Sequence, residues 1–293
     1  MIKRTNLTYI LALLELAKVR ITIPVTLTAI TGFLLFKEKF NIDVLAPALG
    51  VFFLACGSAV LNHFQEQKYD ALMKRTQHRP LPTGSVKPLH ALFMSVILSI
   101  AGALVLLFGA NLQATLLGVF TLIWYNFVYT KLKKITAFAI IPGSLVGALP
   151  PMIGWVAANG NILDPRILIL SIFFFIGQIP HFWIVLLKYG KEYEDAGLPS
   201  ISKLLNSKQL QNLTFIWIFA VAVTSLMLPL YSVINSVYLS FTLIIIATIL
   251  SINFITLLKN KKKINHGINF IRINMFYLII MIVVCIDILS NIP

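Results

Sequence analysis

The chain has 293 residues, of which 58% are hydrophobic and 12% charged, against about 45–50% and about 25% in ordinary soluble domains. That balance excludes a conventional water-soluble enzyme, because so much apolar surface cannot be hidden in one globular core. The formal net charge of +14 would suggest nucleic acid in a soluble protein, but in a chain dissolved in lipid it has to be apportioned loop by loop, and no nucleic-acid partner is expected.

The first twenty residues carry Lys3, Arg4, Lys18 and Arg20 around an apolar stretch interrupted by Glu15. No small-residue cleavage site follows, so this reads as an interfacial amphipathic helix rather than a signal peptide. A hydrocarbon core about 30 Å thick takes roughly 20 residues of helix. Polar punctuation marks off windows of about that length nine times, at residues 21–36, 44–61, 89–109, 112–129, 135–157, 167–187, 213–231, 237–258 and 270–289. The runs are continuous rather than alternating in polarity, which favours helices over a β-barrel. The expected fold class is therefore all-α, a polytopic bundle of nine transmembrane helices in the lipid bilayer, with residues 1–293 forming one intramembrane domain. Cys56 and Cys285 both lie in apolar runs, so neither a disulfide framework nor a thiolate metal site is implied.

Nine spans divide the connections into two sets. The N-terminus and the stretches 68–87, 131–134, 188–208 and 259–272 hold 21 of the 24 Lys and Arg residues, leaving Lys37, Lys39 and Arg166 for the other set. The positive-inside rule then puts the N-terminus and the even-numbered loops in the cytoplasm, as for a multi-pass protein of the inner cell membrane. The lysines at 259 and 261–263 read as a stop signal beside anionic headgroups.

Two of the cytoplasmic loops, near 62–88 and 188–210, hold five of the ten acidic residues. In the first, Asn62, Glu66 and Asp70 recur at intervals of four, so they advance slowly around one helical face. Oxygen donors placed this way suit Mg²⁺, which keeps several waters and takes one or two carboxylates plus phosphate oxygens. Lys74, Arg75 and Arg79 follow, cations of the kind a diphosphate needs. The second loop repeats the recipe with Lys188, Lys191, Glu192, Tyr193, Glu194 and Asp195, Glu192 and Asp195 sharing a helical face. Two such clusters on one side of a lipid-embedded bundle describe a site for a charged diphosphate head with an apolar tail. The pairs Lys188–Glu192 and Lys191–Asp195 equally suit solvated i,i+4 ion pairs, His181 and Trp183 suit interfacial anchors, and Lys18 and Arg20 suit snorkelling cations.

The pattern Asn62-x3-Glu66-x3-Asp70 resembles the N-x3-D-x3-D signature of the UbiA-type intramembrane prenyltransferases. Within that superfamily the chain is most similar to the branch that farnesylates protohaem IX to haem O. The stretches carrying this are Asp70-x2-Met73-x-Arg75-Thr76-x2-Arg79-Pro80-x-Pro82, Gly147-Ala-Leu-Pro150-Pro151-Met-Ile-Gly154-Trp155, Pro180-His181-Phe182-Trp183 and Tyr193-x2-Ala196-Gly197-x-Pro199. In motif terms the resemblance covers roughly residues 15–200. Departures are Glu66 and Glu192 where the family usually has Asp, Lys68 where it often has an acid, Val19 within its Lys-Pro-Arg, and Ser200-Ile201-Ser202 in place of a Met-Leu-Pro run.

The resemblance implies a nine-helix fold and a Mg²⁺-dependent transfer from farnesyl diphosphate to a vinyl group of haem B. It implies two Mg²⁺ sites, one at Asn62, Glu66 and Asp70 and the other at Glu192 and Asp195, these five being the catalytic set. Arg75, Arg79, Lys131 and Lys191 would take the diphosphate, with Lys18 and Arg20 further off, and Tyr193 would join the substrate site. His181 would approach the haem iron or its propionates, with Trp183 against the porphyrin. Haem A synthase or terminal-oxidase assembly are the implied partners. The alternatives are a related prenyltransferase with an aromatic quinone-precursor acceptor and a non-catalytic haem-binding assembly factor.

Overall fold

A computed structural model of the chain describes residues 2–258 and 265–290, with side chains from residue 8 onward. The side chains of Lys3 and Arg4 and the lysines at 259 and 261–263 therefore lie outside the described residues. Among those described the architecture is all helical, without a strand. Nine helices among the described residues are long and apolar enough to cross a membrane: Val19–Lys37, Ile42–Leu72, Pro88–Gly109, Leu112–Leu132, Ala137–Ala157, Pro165–Asp195, Ser207–Leu226, Val237–Leu257 and His266–Ser290. These nine spans match the expected windows one for one. The amphipathic helix Ile2–Leu16 precedes them.

The second and sixth spans run well past the windows drawn from hydropathy. Leu45–Leu72 has 28 helical residues and Pro165–Asp195 has 31, about 42 and 46 Å at 1.5 Å per residue, against a hydrocarbon core of about 30 Å. Neither polar end contains a proline, and the sixth span stops only before Gly197, in the left-handed region at φ 77°, and Pro199. Hydropathy registers where the apolar run ends, whereas the helix ends where the backbone is interrupted. The acidic motifs are thus carried on rigid helical extensions of two spans rather than on loops.

Spans two, five and six form the centre of the bundle, with 56–61% of each window buried, while spans three and eight, at 22%, form its lipid-facing rim. The first and fifth spans cross at glycine. A Cβ at Gly154 would collide with the Ala29 carbonyl, and one at Gly32 would collide with that of Pro151. In lipid, where apolar side chains gain little by leaving their solvent, such close backbone approach is what holds helices together. Phe33, Leu34, Ile153 and Trp155 then pack into the main buried cluster.

Polar contacts keep the two ends of the bundle distinct. One end joins Lys18 to Asn62, Glu66 to Lys133, Arg75 to Glu192 and Lys208 to the Leu258 carbonyl. The other end joins Arg166 to Asp164 and Glu38, and Asn111 to Val156 and Asn159. The two sets of connections inferred from charge therefore do lie at opposite ends. At the second end Asp287 of the ninth span, fully buried, accepts from the backbone N–H groups of Asn235 and Ser236 at 2.8 and 2.7 Å, capping the N-terminus of the eighth span.

The N-terminal helix lies on the outside of this arrangement. Leu16 and Ala17 are buried with Cys56, Val60, Leu81, Val86 and Ala91, and the exposed Ile10, Leu11 and Leu14 face outward. Lys18, between this helix and the first span, is held in the left-handed region at φ 49°.

The Gly154 crossing is testable. Gly154→Leu should lower the stability of the detergent-solubilised protein by at least the roughly 1–3 kcal/mol of an overpacked core, read as a drop in thermal midpoint. A wild-type midpoint would mean that the two helices are not in backbone contact.

Candidate active site

The face of the second span that carries Asn62, Glu66 and Asp70 is turned inward, all three side chains being buried. A carboxylate placed there without a partner would cost several kcal/mol in desolvation. Each of the three is instead matched by a cation from a different part of the chain. Lys18 Nζ donates to Asn62 Oδ1 at 3.0 Å. Lys133 Nζ donates to both oxygens of Glu66, at 2.9 and 3.0 Å. One guanidinium nitrogen of Arg79 donates to both oxygens of Asp70 at 2.8 Å.

The loop after the second span folds back so that Arg79 can reach Asp70. Thr76 Oγ1 donates to the Asp70 carbonyl at 2.9 Å, and short turns from Met73 to Gly84 carry the chain round. The same fold-back brings Arg75 to the end of the sixth span. Its backbone N–H donates to Glu192 Oε2 at 2.9 Å and its guanidinium to the Tyr193 hydroxyl at 3.1 Å. That guanidinium also lies 5.1 Å from the Tyr189 ring and 5.8 Å from the Tyr193 ring, within cation–π range. Lys133, already on Glu66, stands 5.7 Å from the Tyr193 ring. The two acidic helix ends therefore meet, with Arg75 and Lys133 between them.

The fourth span supplies Lys133 through an irregularity. Residues Trp124–Tyr129 form a π-helical turn, a feature that often marks functional sites. It is anchored by Asn126, fully buried, which accepts from Ser58 Oγ at 2.6 Å and donates to the Ser58 carbonyl at 3.0 Å. Next to these charged groups the packing becomes aromatic. Tyr125 and Tyr129 lie 5.6 Å apart, Tyr129 is 6.0 Å from Phe182, and His181 is 4.6 Å from Phe270 of the ninth span.

The electrostatics follow from this packing. Lys18 is pushed down to about 7 by burial, with the neighbouring Arg79 and Lys133 charges adding to the effect. Its ammonium is thus lost as pH rises through neutrality unless an anion arrives. Burial would lower Lys133 as well, but the Glu66 carboxylate outweighs it and holds the lysine well above its usual range.

As a place for Mg²⁺ the donor set fits. Asn62, Glu66 and Asp70 offer hard oxygen atoms on one inward face, with Glu192 opposite, and Mg²⁺ needs only one or two carboxylates when phosphate and water complete its shell. Among the described residues no group of three or more His, Cys, Asp and Glu side chains is spaced to enclose an ion by itself, so phosphate oxygens would have to be part of any such site.

Other residues selected from sequence fall elsewhere. Lys131 is exposed, and the lysine that reaches the acidic face from this loop is Lys133. Asp195 and Lys191 are exposed, and Glu192 turns instead toward Arg75. Among the described residues neither Lys188–Glu192 nor Lys191–Asp195 forms an ion pair; Lys188 lies 4.9 Å from the Tyr189 ring. Arg20 is exposed. Trp183 is buried against Trp217 of the seventh span, at 6.0 Å and edge-on, within a lateral apolar cluster. Sequence reasoning also passed over His63, buried 3.8 Å from Asp70 with no hydrogen bond to either ring nitrogen. A histidine one residue from a motif asparagine was the available signal.

Comparison with known proteins gives a consistent result. The UbiA prenyltransferase family profile matches residues 24–279. The protohaem IX farnesyltransferase of Oleidesulfovibrio alaskensis is 36% identical over 218 residues, 74% of this chain and 77% of the relative. That of Geobacter sulfurreducens is 35% identical over 218 residues, 74% and 80% of the two chains. Among solved structures, a digeranylgeranylglyceryl phosphate synthase superposes with a TM-score of 0.76 at 19% identity, covering 97% of this chain and 99% of that one. A UbiA homologue from Archaeoglobus fulgidus bound to GPP and Mg²⁺ does so with a TM-score of 0.70 at 13% identity, covering 95% and 99%. The two structural likenesses speak to the fold.

The pairing of Glu66 yields a prediction that separates the two lysines. Lys133→Met leaves a buried carboxylate without its cation and should cost about 3 kcal/mol, most of it recovered when Glu66→Gln is added. Lys131→Met should change stability by less than about 0.5 kcal/mol. Thermal unfolding of the four proteins in one detergent reads the comparison, and equal effects of the two lysine substitutions would refute the assignment.

Proposed function

The chain belongs to the UbiA prenyltransferase family, and we propose that its reaction is the transfer of a farnesyl group from farnesyl diphosphate to a vinyl group of protohaem IX, giving haem O and diphosphate. The observation that carries this reading is the junction of the two acidic helix ends at one mouth, through Arg75 and Glu192 on one side and Lys133 and Glu66 on the other. The names of the relatives support the farnesyl donor and the haem acceptor.

In this reading Asn62, Glu66 and Asp70 would hold one Mg²⁺ and Glu192 would stand at the second, with the exposed Asp195 in reach only if the helix end is drawn inward. Bound Mg²⁺ supplies Lewis-acid stabilisation of the leaving diphosphate. The chain's own part is to position and to exclude water. Lys18, Arg79, Lys133 and Arg75 surround the place where negative charge grows as the C1–O bond of the donor breaks and diphosphate leaves with the bonding electrons. The farnesyl chain lies in the apolar interior, where the hydrophobic effect binds it and solvent is kept from the allylic cation. The vinyl π electrons form the new bond to farnesyl carbon, and one water captures the resulting cation and loses a proton, leaving a hydroxyethylfarnesyl substituent. His181 and Phe182 stand below the mouth, where the porphyrin would have to lie.

We place the reaction in one domain comprising residues 1–293, in the inner cell membrane, with the N-terminus and the charged mouth cytoplasmic on the strength of the basic bias. The product would pass to haem A synthase or terminal-oxidase assembly.

The test is direct. Purified protein given Mg²⁺, farnesyl diphosphate and haem B should yield a haem heavier by one farnesyl group plus one hydroxyl group. Asp70→Asn should abolish the product while the protein still inserts in the membrane. Unchanged haem, where an established family member turns over, would reject the reading, and farnesylation of 4-hydroxybenzoate instead would redirect it to a quinone precursor.

A further inference from the structure

Asn62 is unlike the other two members of its face, because its side chain has a right and a wrong end. A carboxylate offers oxygen whichever way it turns. An amide offers oxygen on one side and an NH₂ group on the other, and an NH₂ group turned toward a cation or a phosphate-bound metal would repel it. Something has to fix the amide.

Two neighbours do so from opposite sides. Lys18 Nζ donates to Oδ1 at 3.0 Å, and as an ammonium it has no lone pair with which to accept. On the other side Asn62 Nδ2 donates to Thr130 Oγ1 at 3.3 Å. A threonine hydroxyl can in general accept or donate, so it would not by itself choose an amide orientation. Here it has no choice, because its own proton is committed to the Tyr125 carbonyl at 2.9 Å. That carbonyl is reached because the π turn runs from Trp124 to Tyr129, and the backbone N–H of Thr130 bonds to the same oxygen. The turn is in turn pinned to the second span, by Asn126 on Ser58, one helical turn before Asn62. Thr130 is 1% exposed and Asn62 4% exposed, so water does not compete for either group.

We propose that Thr130 is a positioning residue for the prenyl-diphosphate site: its hydroxyl, polarised in one direction by the π turn, holds the Asn62 amide with its oxygen toward the mouth. This rests on the reading of Asn62 as an oxygen donor to the metal–diphosphate complex. The chain Tyr125 carbonyl, Thr130 hydroxyl, Asn62 amide then makes the irregularity in the fourth span part of the site. It also assigns a purpose to a threonine whose hydroxyl is shared between an amide and a carbonyl. Orienting partners of this kind commonly change metal affinity 10- to 100-fold when removed.

The test uses the full chain in lipid nanodiscs and reads binding of a non-ionising thiolo analogue of farnesyl diphosphate by calorimetry over a range of Mg²⁺ concentrations. Thr130→Ser keeps the hydroxyl and should bind as wild type. Thr130→Val loses the acceptor and should require about tenfold more Mg²⁺ for the same occupancy. The decisive comparison places Thr130→Val on an Asn62→Asp background. A carboxylate has no wrong end, so there the loss should shrink to less than about threefold. An equal loss on both backgrounds would mean that Thr130 acts on the helix and not on the amide, and wild-type binding by Thr130→Val would likewise overturn the inference. Asn62→Ala distinguishes the two levels of argument. If it loses binding while Thr130→Val does not, only the positioning role falls; if it binds as wild type, the reading of Asn62 falls and the role of Thr130 with it.

Discussion

A negative charge at the edge of a hydrocarbon layer persists only if something positive meets it, and that constraint organises the whole mouth of this bundle. Glu66 and Asp70 are buried on a helix that has just left the lipid. The cations that meet them come from sequence-distant places: Lys133 from the end of the fourth span and Arg79 from a loop that folds back. Lys18, from the turn before the first span, closes the set at Asn62. The unusual local features each serve one of these meetings. Lys18 takes up left-handed backbone geometry, the fourth span contains a π turn, and the loop after the second span reverses within a few residues. Strained or irregular backbone of this sort tends to be retained where surrounding contacts require it.

The same mouth joins the second span to the sixth. The sixth span carries Glu192 and Tyr193 beyond its apolar run on an unbroken continuation of its helix, where the backbone of Arg75 meets Glu192 and its guanidinium meets Tyr193. Because the acid is held by a main-chain N–H, the connection does not depend on which side chain occupies position 75. The guanidinium is left to lie among Tyr189 and Tyr193.

What sequence made legible was set by periodicity. Nine apolar runs and the spacing Asn62, Glu66, Asp70 are one-dimensional patterns with simple physical causes, and both survive in the structure. Among the described residues so does the segregation of basic residues to one end. The assignments that moved depended on information not carried by spacing. Lys131 and Lys133 are indistinguishable as letters in a basic run, and the π turn upstream upsets any phase counted at 3.6 residues per turn. Trp183 follows His181 closely, yet lies on a different side of the sixth span and packs against Trp217. Asp195 is three residues from Glu192, but the helix ends there and leaves it in solvent. Thr130 and Asn126 were invisible because their meaning lies in the direction of a hydrogen bond.

The cap at Asp287 has a mechanical corollary. Two charge-assisted bonds fasten the ninth span to the head of the eighth at the end remote from the mouth, and the Tyr277 hydroxyl ties its middle to the Gly177 carbonyl at 2.7 Å. Nearer the mouth it meets the sixth span through the tilted ring pair of Phe270 and His181, 4.6 Å apart, and through a hydrogen bond between Asn274 and His181. The last helix is therefore tied down at three levels, so a load on any part of it is shared with the sixth and eighth spans.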